Sequence, residues 1–320
     1  MISKPTTIAT PPNPAHELLK RAFGNITPLT TNLTHPNFRA LDINTGDGSW
    51  LHDLRSQLQH PEEADLVGTD FEILPAEQRP FSIPRNMRFL MMMPTMTQRC
   101  SSSCSFSRRK NGFGEDGEEE EEEDDEWPED LHGYFDLVRD RTVVEGSRGD
   151  WERAVEGTGR LLRLVKPGGG ILLVGCCLEG NGNDDDDDEM DAASRRLFKL
   201  LGNGFSSGGG HGSLGGDLAA VLNAASHRSG VRLVDVRVKK AVSRIGEGAE
   251  FHMRELGMAW LEQLKGACGA SRSKADLDHF DHVVSEAVEE ADTKGFDITW
   301  YASWATRSDG NAGGAIELPG

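Results

Sequence analysis

Residues 38–50 read Phe-Arg-Ala-Leu-Asp-Ile-Asn-Thr-Gly-Asp-Gly-Ser-Trp: an apolar run closing on an acid, then a glycine-rich turn that opens a helix. Twenty-two residues after Gly48 a second acid, Asp70, follows the apolar run Leu66-Val67-Gly68. In an open parallel sheet, ligands sit beyond the carboxyl ends of the strands, where strand order reverses. Gly46 and Gly48 let the backbone approach a ligand where a β-carbon would collide. A carboxylate ending the next strand can accept both hydroxyls of a ribose, and hydrogen bonds to a charged partner are worth roughly 1.5–3 kcal/mol. The pattern therefore points to a nucleoside-binding α/β domain.

Two cofactor classes use such a turn. Dinucleotides want Gly-x-Gly-x-x-Gly, with the pyrophosphate on the helix N-terminus. Here the third glycine position is Leu51, and Asp47 would repel phosphate. A cationic sulfonium tolerates these acids better, which favours S-adenosylmethionine and leaves an NAD-dependent enzyme as the weaker alternative.

The segment Asp42-Ile43-Asn44-Thr45-Gly46-Asp47-Gly48-Ser49-Trp50 resembles the first motif of class I methyltransferases, in the form of the fungal LaeA-like group. The likeness continues through Val67-Gly68-Thr69-Asp70, Ile73-Leu74-Pro75 and Pro84-Arg85-Asn86-Met87-Arg88-Phe89. It resumes at Asp124-Asp125-Glu126-Trp127, Tyr134–Arg141, Asp150-Trp151 and Leu164–Gly170, covering about residues 15–176. The resemblance implies a Rossmann-like seven-stranded, mostly parallel sheet with an antiparallel last strand and helices on both faces. It also implies that Asp42, Asn44, Gly46 and Gly48 shape the methionine and ribose site, that Asp70 holds the ribose, and that Asp124 and Asp125 meet the adenine amino group. Asp140 and Arg141, after the fourth strand, fall where class I enzymes face the substrate. Two positions depart from the pattern: Asn44 stands for the group's first glycine, and Gly175 for an acid. Asn enters positive φ at tolerable cost.

The 320 residues carry a net charge of −19, but residues 115–126 hold eleven acids and residues 184–189 six, so the remainder is nearly neutral. Such runs read as solvated loops or as arms for a basic protein partner. The balance counts against nucleic acid as substrate, which wants a basic face. Arg139-Asp140-Arg141-Thr142 after the fourth strand also lacks the Asn/Asp-Pro-Pro-aromatic of adenine methylation, and no Pro-Cys pair serves cytosine attack. No eighteen-residue apolar run argues for a membrane span, and the N-terminus lacks an apolar signal core. The expectation is a cytoplasmic protein, or a nuclear one if it is regulatory. Five cysteines form neither a disulfide framework nor a zinc spacing, so no metal is expected.

The domain expected from this pattern spans 15–306, with tails at 1–14 and 307–320 and low-complexity insertions at 94–122 and 178–216. Strands are predicted at Phe38–Ile43, Ala64–Asp70, Arg88–Met92, Tyr134–Arg139, Ile171–Cys176, Val231–Val238 and Phe296–Thr306. Helices are predicted near His16–Phe23, after Gly48 (Trp50, Leu51, Leu54 and Leu58 inward), from Asp150, at Ala192–Leu201, Leu214–His227, Glu255–Leu264 and Asp276–Asp292. Lys166-Pro167-Gly168-Gly169-Gly170 reads as a helix stop and turn before the fifth strand. For a general base the sequence offers His132, His211, His252, His279 and His282, none in a local dyad. An activated methyl donor asks little of such a base, because alignment of nucleophile and methyl group does most of the work. The reading is a methyltransferase acting on O or N of a small secondary metabolite. The second hypothesis is a LaeA-like regulatory protein working within a nuclear complex through its acidic arms.

Overall fold

The computed structural model describes residues 13–24, 27, 31–70, 74–75, 79–91, 127–141, 151–177, 193–201, 217–264 and 274–309. The elements in chain order are α1 (Pro14–Phe23), β1 (Arg39–Ile43), α2 (Ser49–Gln57), β2 (Asp65–Asp70), β3 (Met87–Met91), β4 (Phe135–Asp140), α3 (Trp151–Leu164), β5 (Val165–Cys177), α4 (Ala193–Leu201), α5 (Leu218–Ser229), β6 (Leu233–Ile245), α6 (Phe251–Leu264), α7 (Lys274–Thr293) and β7 (Phe296–Arg307). The strands form one sheet in the order β3-β2-β1-β4-β5-β7-β6. The pairs β1–β2, β1–β4, β2–β3 and β4–β5 are parallel, and β7 runs antiparallel to both β5 and β6. This is the sheet the resemblance implied. Strand order reverses at β1, so the turn after β1 lies at the switch point where such sheets take ligands.

The strands alternate side chains between two apolar layers. Ala40, Leu137, Leu172, Val174 and Trp300 face the layer under α1, α2, α4, α6 and α7, with Leu18, Leu54, Leu197, Trp260 and Phe280. Leu41, Val138, Ile171, Leu173 and Tyr301 face the layer under α3 and α5, with Leu162 and Leu222. Trp300 is core: it meets Trp260 edge-on and donates its Nε1–H to Ser243 Oγ at 3.1 Å.

Three elements differ from the sequence expectation. The strand predicted from Ile171 begins at Val165, because Lys166–Gly169 bulge within it: Phe135 pairs with Val165 and Leu137 with Gly170. Gly168 takes φ +76°, and a Cβ on Gly169 would stand 2.9 Å from the Asp136 carbonyl oxygen. The glycines thus serve a strand irregularity instead of a free turn. The sixth strand, expected to stop at Val238, continues to Ile245, since β7 offers backbone partners along its whole length. Within the segment expected as a polar insertion at 178–216, α4 belongs to the folded body: Leu197 is buried, and Glu290 of α7 accepts the Ser194 N–H at 2.7 Å. The insertion at 94–122 lies outside the described residues.

Candidate functional site

The site forms at the carboxyl end of β1. Strand geometry delivers the chain to Asn44 at φ +56°, Gly46 at φ +59° and Gly48 at φ +83°. Three left-handed residues in five turn the chain sharply into α2. Asn44 meets the conformational demand expected of it. Asp47 closes the turn by accepting the Ser49 N–H at 3.0 Å and the Ser49 hydroxyl at 2.8 Å. It thereby satisfies an orphan donor and complements the helix dipole at the first turn of α2.

Asp70, at the end of β2, accepts the Gly46 N–H at 2.7 Å, and the Thr45 N–H donates to the Thr69 carbonyl at 2.9 Å. The second strand therefore carries the glycine turn of the first, and the carboxylate expected to serve a ribose is fixed against that turn.

Asp42 does not reach the open side of the loop. It is fully buried, with Oδ1 accepting from Arg139 at 2.7 Å and Oδ2 from the Thr45 hydroxyl at 2.8 Å. Its part is to hold β1, β4 and the turn together from beneath. Arg139 is buried too and lies over the Trp50 ring at 4.9 Å. Burial pulls the pKa of this guanidinium down, and the Asp42 charge opposes that pull.

Gly48 also has a different reason for being glycine. A Cβ there would stand 2.6 Å from the Phe89 ring, which Arg79 covers at 3.5 Å. Arg79 donates to the Asp47 carbonyl at 2.6 Å and to the Leu74 carbonyl at 3.1 Å. The space beside Gly68 is filled by the same ring and by Thr45 Cγ2, each at 2.8 Å. Gly46 is the contrast: near its missing side chain stand Arg141 Nη2 at 3.8 Å and Asn13 Nδ2 at 3.9 Å, and nothing closer among the described residues. Of the two residues placed after β4, Arg141 thus joins the loop. Asp140 is buried in register with Ile43 and Leu173 of the other layer. Asp124 and Asp125 lie outside the described residues.

The structure adds a His–Asp contact that local sequence could not reveal. His16 of α1 is buried and donates Nε2–H to Asp53 of α2 at 2.8 Å, and Lys20 Nζ lies 2.8 Å from the same carboxylate. The 37-residue separation hid it. Of the histidines weighed from sequence, His132, His252, His279 and His282 are exposed, and His211 lies outside the described residues. His16, Glu17 and Asp53 also come within 4.8 Å of one another, but the Lys20 ammonium already holds the cation position there.

Burial alone would raise the Asp53 pKa. Hydrogen bonds and charge from His16 and Lys20 outweigh it and hold the carboxyl at about 2, below its ordinary 3.8. A depressed carboxyl pKa stabilises the fold above the unfolded value, and that contribution is lost as pH falls through the folded value. The Asp53→Asn variant should therefore unfold at lower urea than the parent at pH 5 to 7. The gap should close between about pH 4 and pH 2. A gap that stays constant across that window would show that charge on Asp53 does not hold α1 to α2.

A separate open cleft of about 430 Å³, lined by His132, Gly133, Arg163, Pro167, Val231 and Arg307, lies at the opposite end of the strands. Arg307 is spent there on the carbonyls of Arg163 and Val165, at 3.3 and 2.6 Å.

No protein-family model matches the chain. It is 30% identical over 164 residues to the N-methyltransferase verN of Clonostachys rogersoniana, covering 51% of this chain and 45% of that protein. It is likewise 30% identical over 165 residues to the N-methyltransferase tcpN of Claviceps purpurea, covering 50% and 46%. The chain thus matches under half the length of these curated relatives. Among solved structures it is similar to a cyclopropane synthase from Mycobacterium tuberculosis, at 13% identity and a TM-score of 0.45 over 91% of this chain and 83% of that one.

Proposed function

We propose that the protein is an S-adenosylmethionine-dependent methyltransferase that acts on a nitrogen of a small molecule. The observation that carries the reading is the Asp70–Gly46 contact. A carboxylate at the end of β2 and a left-handed glycine turn after β1 are joined at the switch point of a 3-2-1-4-5-7-6 sheet. These residues fit a cationic nucleoside. In this reading Asp70 takes the ribose beside the left-handed turn at Gly46. Asp47 sets a carboxylate at the first turn of α2, where a dinucleotide would need to seat its pyrophosphate. When bound, the cofactor supplies a methyl group already activated on its sulfonium. The protein's share is to fix the donor, align the acceptor and exclude water.

Relatives named N-methyltransferase support nitrogen over oxygen as acceptor, and their fungal sources fit the LaeA-like resemblance and a place in secondary metabolism. The regulatory reading rests on the acidic runs, which lie outside the described residues.

Titration calorimetry with S-adenosylhomocysteine tests the cofactor site. The parent should bind, and Asp70→Ala should lose at least about tenfold in affinity, the scale of charge-assisted hydrogen bonds. Release of S-adenosylhomocysteine from S-adenosylmethionine, dependent on an added amine, then tests the transfer. A folded parent that binds neither nucleoside would sink the reading.

A further inference from the structure

Arg79 is a buried cation that no carboxylate holds. It is 5% exposed, and its hydrogen bonds go to two backbone carbonyls, Asp47 at 2.6 Å and Leu74 at 3.1 Å. Its Nε–H is buried without a partner, and among the described residues no acid forms an ion pair with it. Arg139 is the contrast: it is as deeply buried, but Asp42 meets it at 2.7 Å, so that pair is close to neutral. Phe89 packs flat beneath the Arg79 guanidinium at 3.5 Å, and Nη1 stands 3.2 Å from where a Cβ on Gly48 would be. The cation is therefore seated on the glycine turn itself, joined to the carbonyl of one of its residues.

A charge buried without a direct partner is expensive to keep. Burial pulls the Arg79 pKa down, and the charges of Asp47 and Asp70 oppose that pull from a distance. An arginine stays protonated under such conditions. The interaction is reciprocal: the same guanidinium cancels part of the negative field that Asp47 and Asp70 place on the turn. Arg141, on the Gly46 side, is only half-buried, so water and salt screen it more than they screen Arg79.

Methyl transfer changes the cofactor by one unit of charge, from a sulfonium in the donor to a neutral thioether in the product. Two carboxylates acting alone would favour the donor. A buried cation beside them narrows the preference. We propose that Arg79 sets the balance between donor and product at this site, its charge loosening the hold on the sulfonium and letting the product compete. The inference rests on the methyltransferase reading and adds to it a residue that regulates turnover through product retention.

The test is calorimetry on the full chain with S-adenosylmethionine and S-adenosylhomocysteine, read as the ratio of product to donor dissociation constants. The two ligands differ by a methyl group and its charge, so any slackening of the loops at Asp47 and Leu74 is common to both and cancels in the ratio. In Arg79→Gln and Arg79→Met the ratio should rise about 3- to 10-fold, the scale of one unit charge acting through an effective dielectric of about 20. Arg79→Lys keeps the charge and should stay within about twofold of the parent. Asp70→Asn removes a charge of the opposite sign and should lower the ratio. A parental ratio in both neutral variants, an equal rise in Arg79→Lys, or a rise in Asp70→Asn would overturn this role while leaving the cofactor site standing. A folded parent that binds neither ligand would overturn both readings together.

Discussion

Replacing Arg139 by Ala should lower stability by about 3–5 kcal/mol, because it strands the Asp42 carboxylate in a buried site without its cation. The side chains of this pair are 3% and 0% exposed, and the bond between them is 2.7 Å. The remaining Thr45 hydroxyl cannot balance a full charge. Urea unfolding followed by circular dichroism measures the loss. The double variant Asp42→Asn/Arg139→Met is the informative control. It removes both charges, and exchanging a buried pair for neutral groups is often close to neutral. Most of the lost stability should return, yet nucleoside affinity should not return in full, since Asp42 also steadies Thr45 at the start of the turn. Arg139→Ala with parental stability would mean that the pair is not the clasp between β1 and β4.

Gly48→Ala should cost about 2–5 kcal/mol and weaken nucleoside binding with it, since a left-handed alanine costs roughly 1–2 kcal/mol and overpacking a filled site adds typically about 1–3 kcal/mol. Gly48 has both problems at once: φ +83°, and a Cβ position 2.6 Å from a ring that Arg79 presses into place. The companion Phe89→Leu removes the edge of the ring that would clash, and only the strain of the left-handed backbone should remain in Gly48→Ala/Phe89→Leu. If the double variant is no more stable than Gly48→Ala, the ring is not what demands glycine there.

These two sites also mark how far the sequence could be read. The turn after β1 was legible because its signal is local: an apolar strand, an acid, residues able to take positive φ, and a helix with Trp50, Leu51 and Leu54 on one buried face. Asp70 was legible because strand length and the β–α–β repeat fix its distance from the turn. The same locality misled at Lys166–Gly170, where a proline and three glycines imitate a loop but form a bulge that β4 pairs around. It misled again at β6, whose second half, with Lys239 and Lys240, becomes strand only because β7 lies alongside.

What the sequence determined by itself is the α/β architecture, the placing of the glycine turn at a strand end, and the acid that follows on the next strand, since each depends on backbone propensity and short-range periodicity. What only the tertiary structure decided is the role of each residue at that turn. Asp42 is turned inward by an arginine 97 positions away. Gly48 is closed off by Phe89, and Gly46 is left facing Asn13 and Arg141. His16 acquires a carboxylate from a different helix. Each of these depends on through-space contact between segments far apart in the chain, and such contacts exist only after the sheet has ordered its strands and the helices have closed over it.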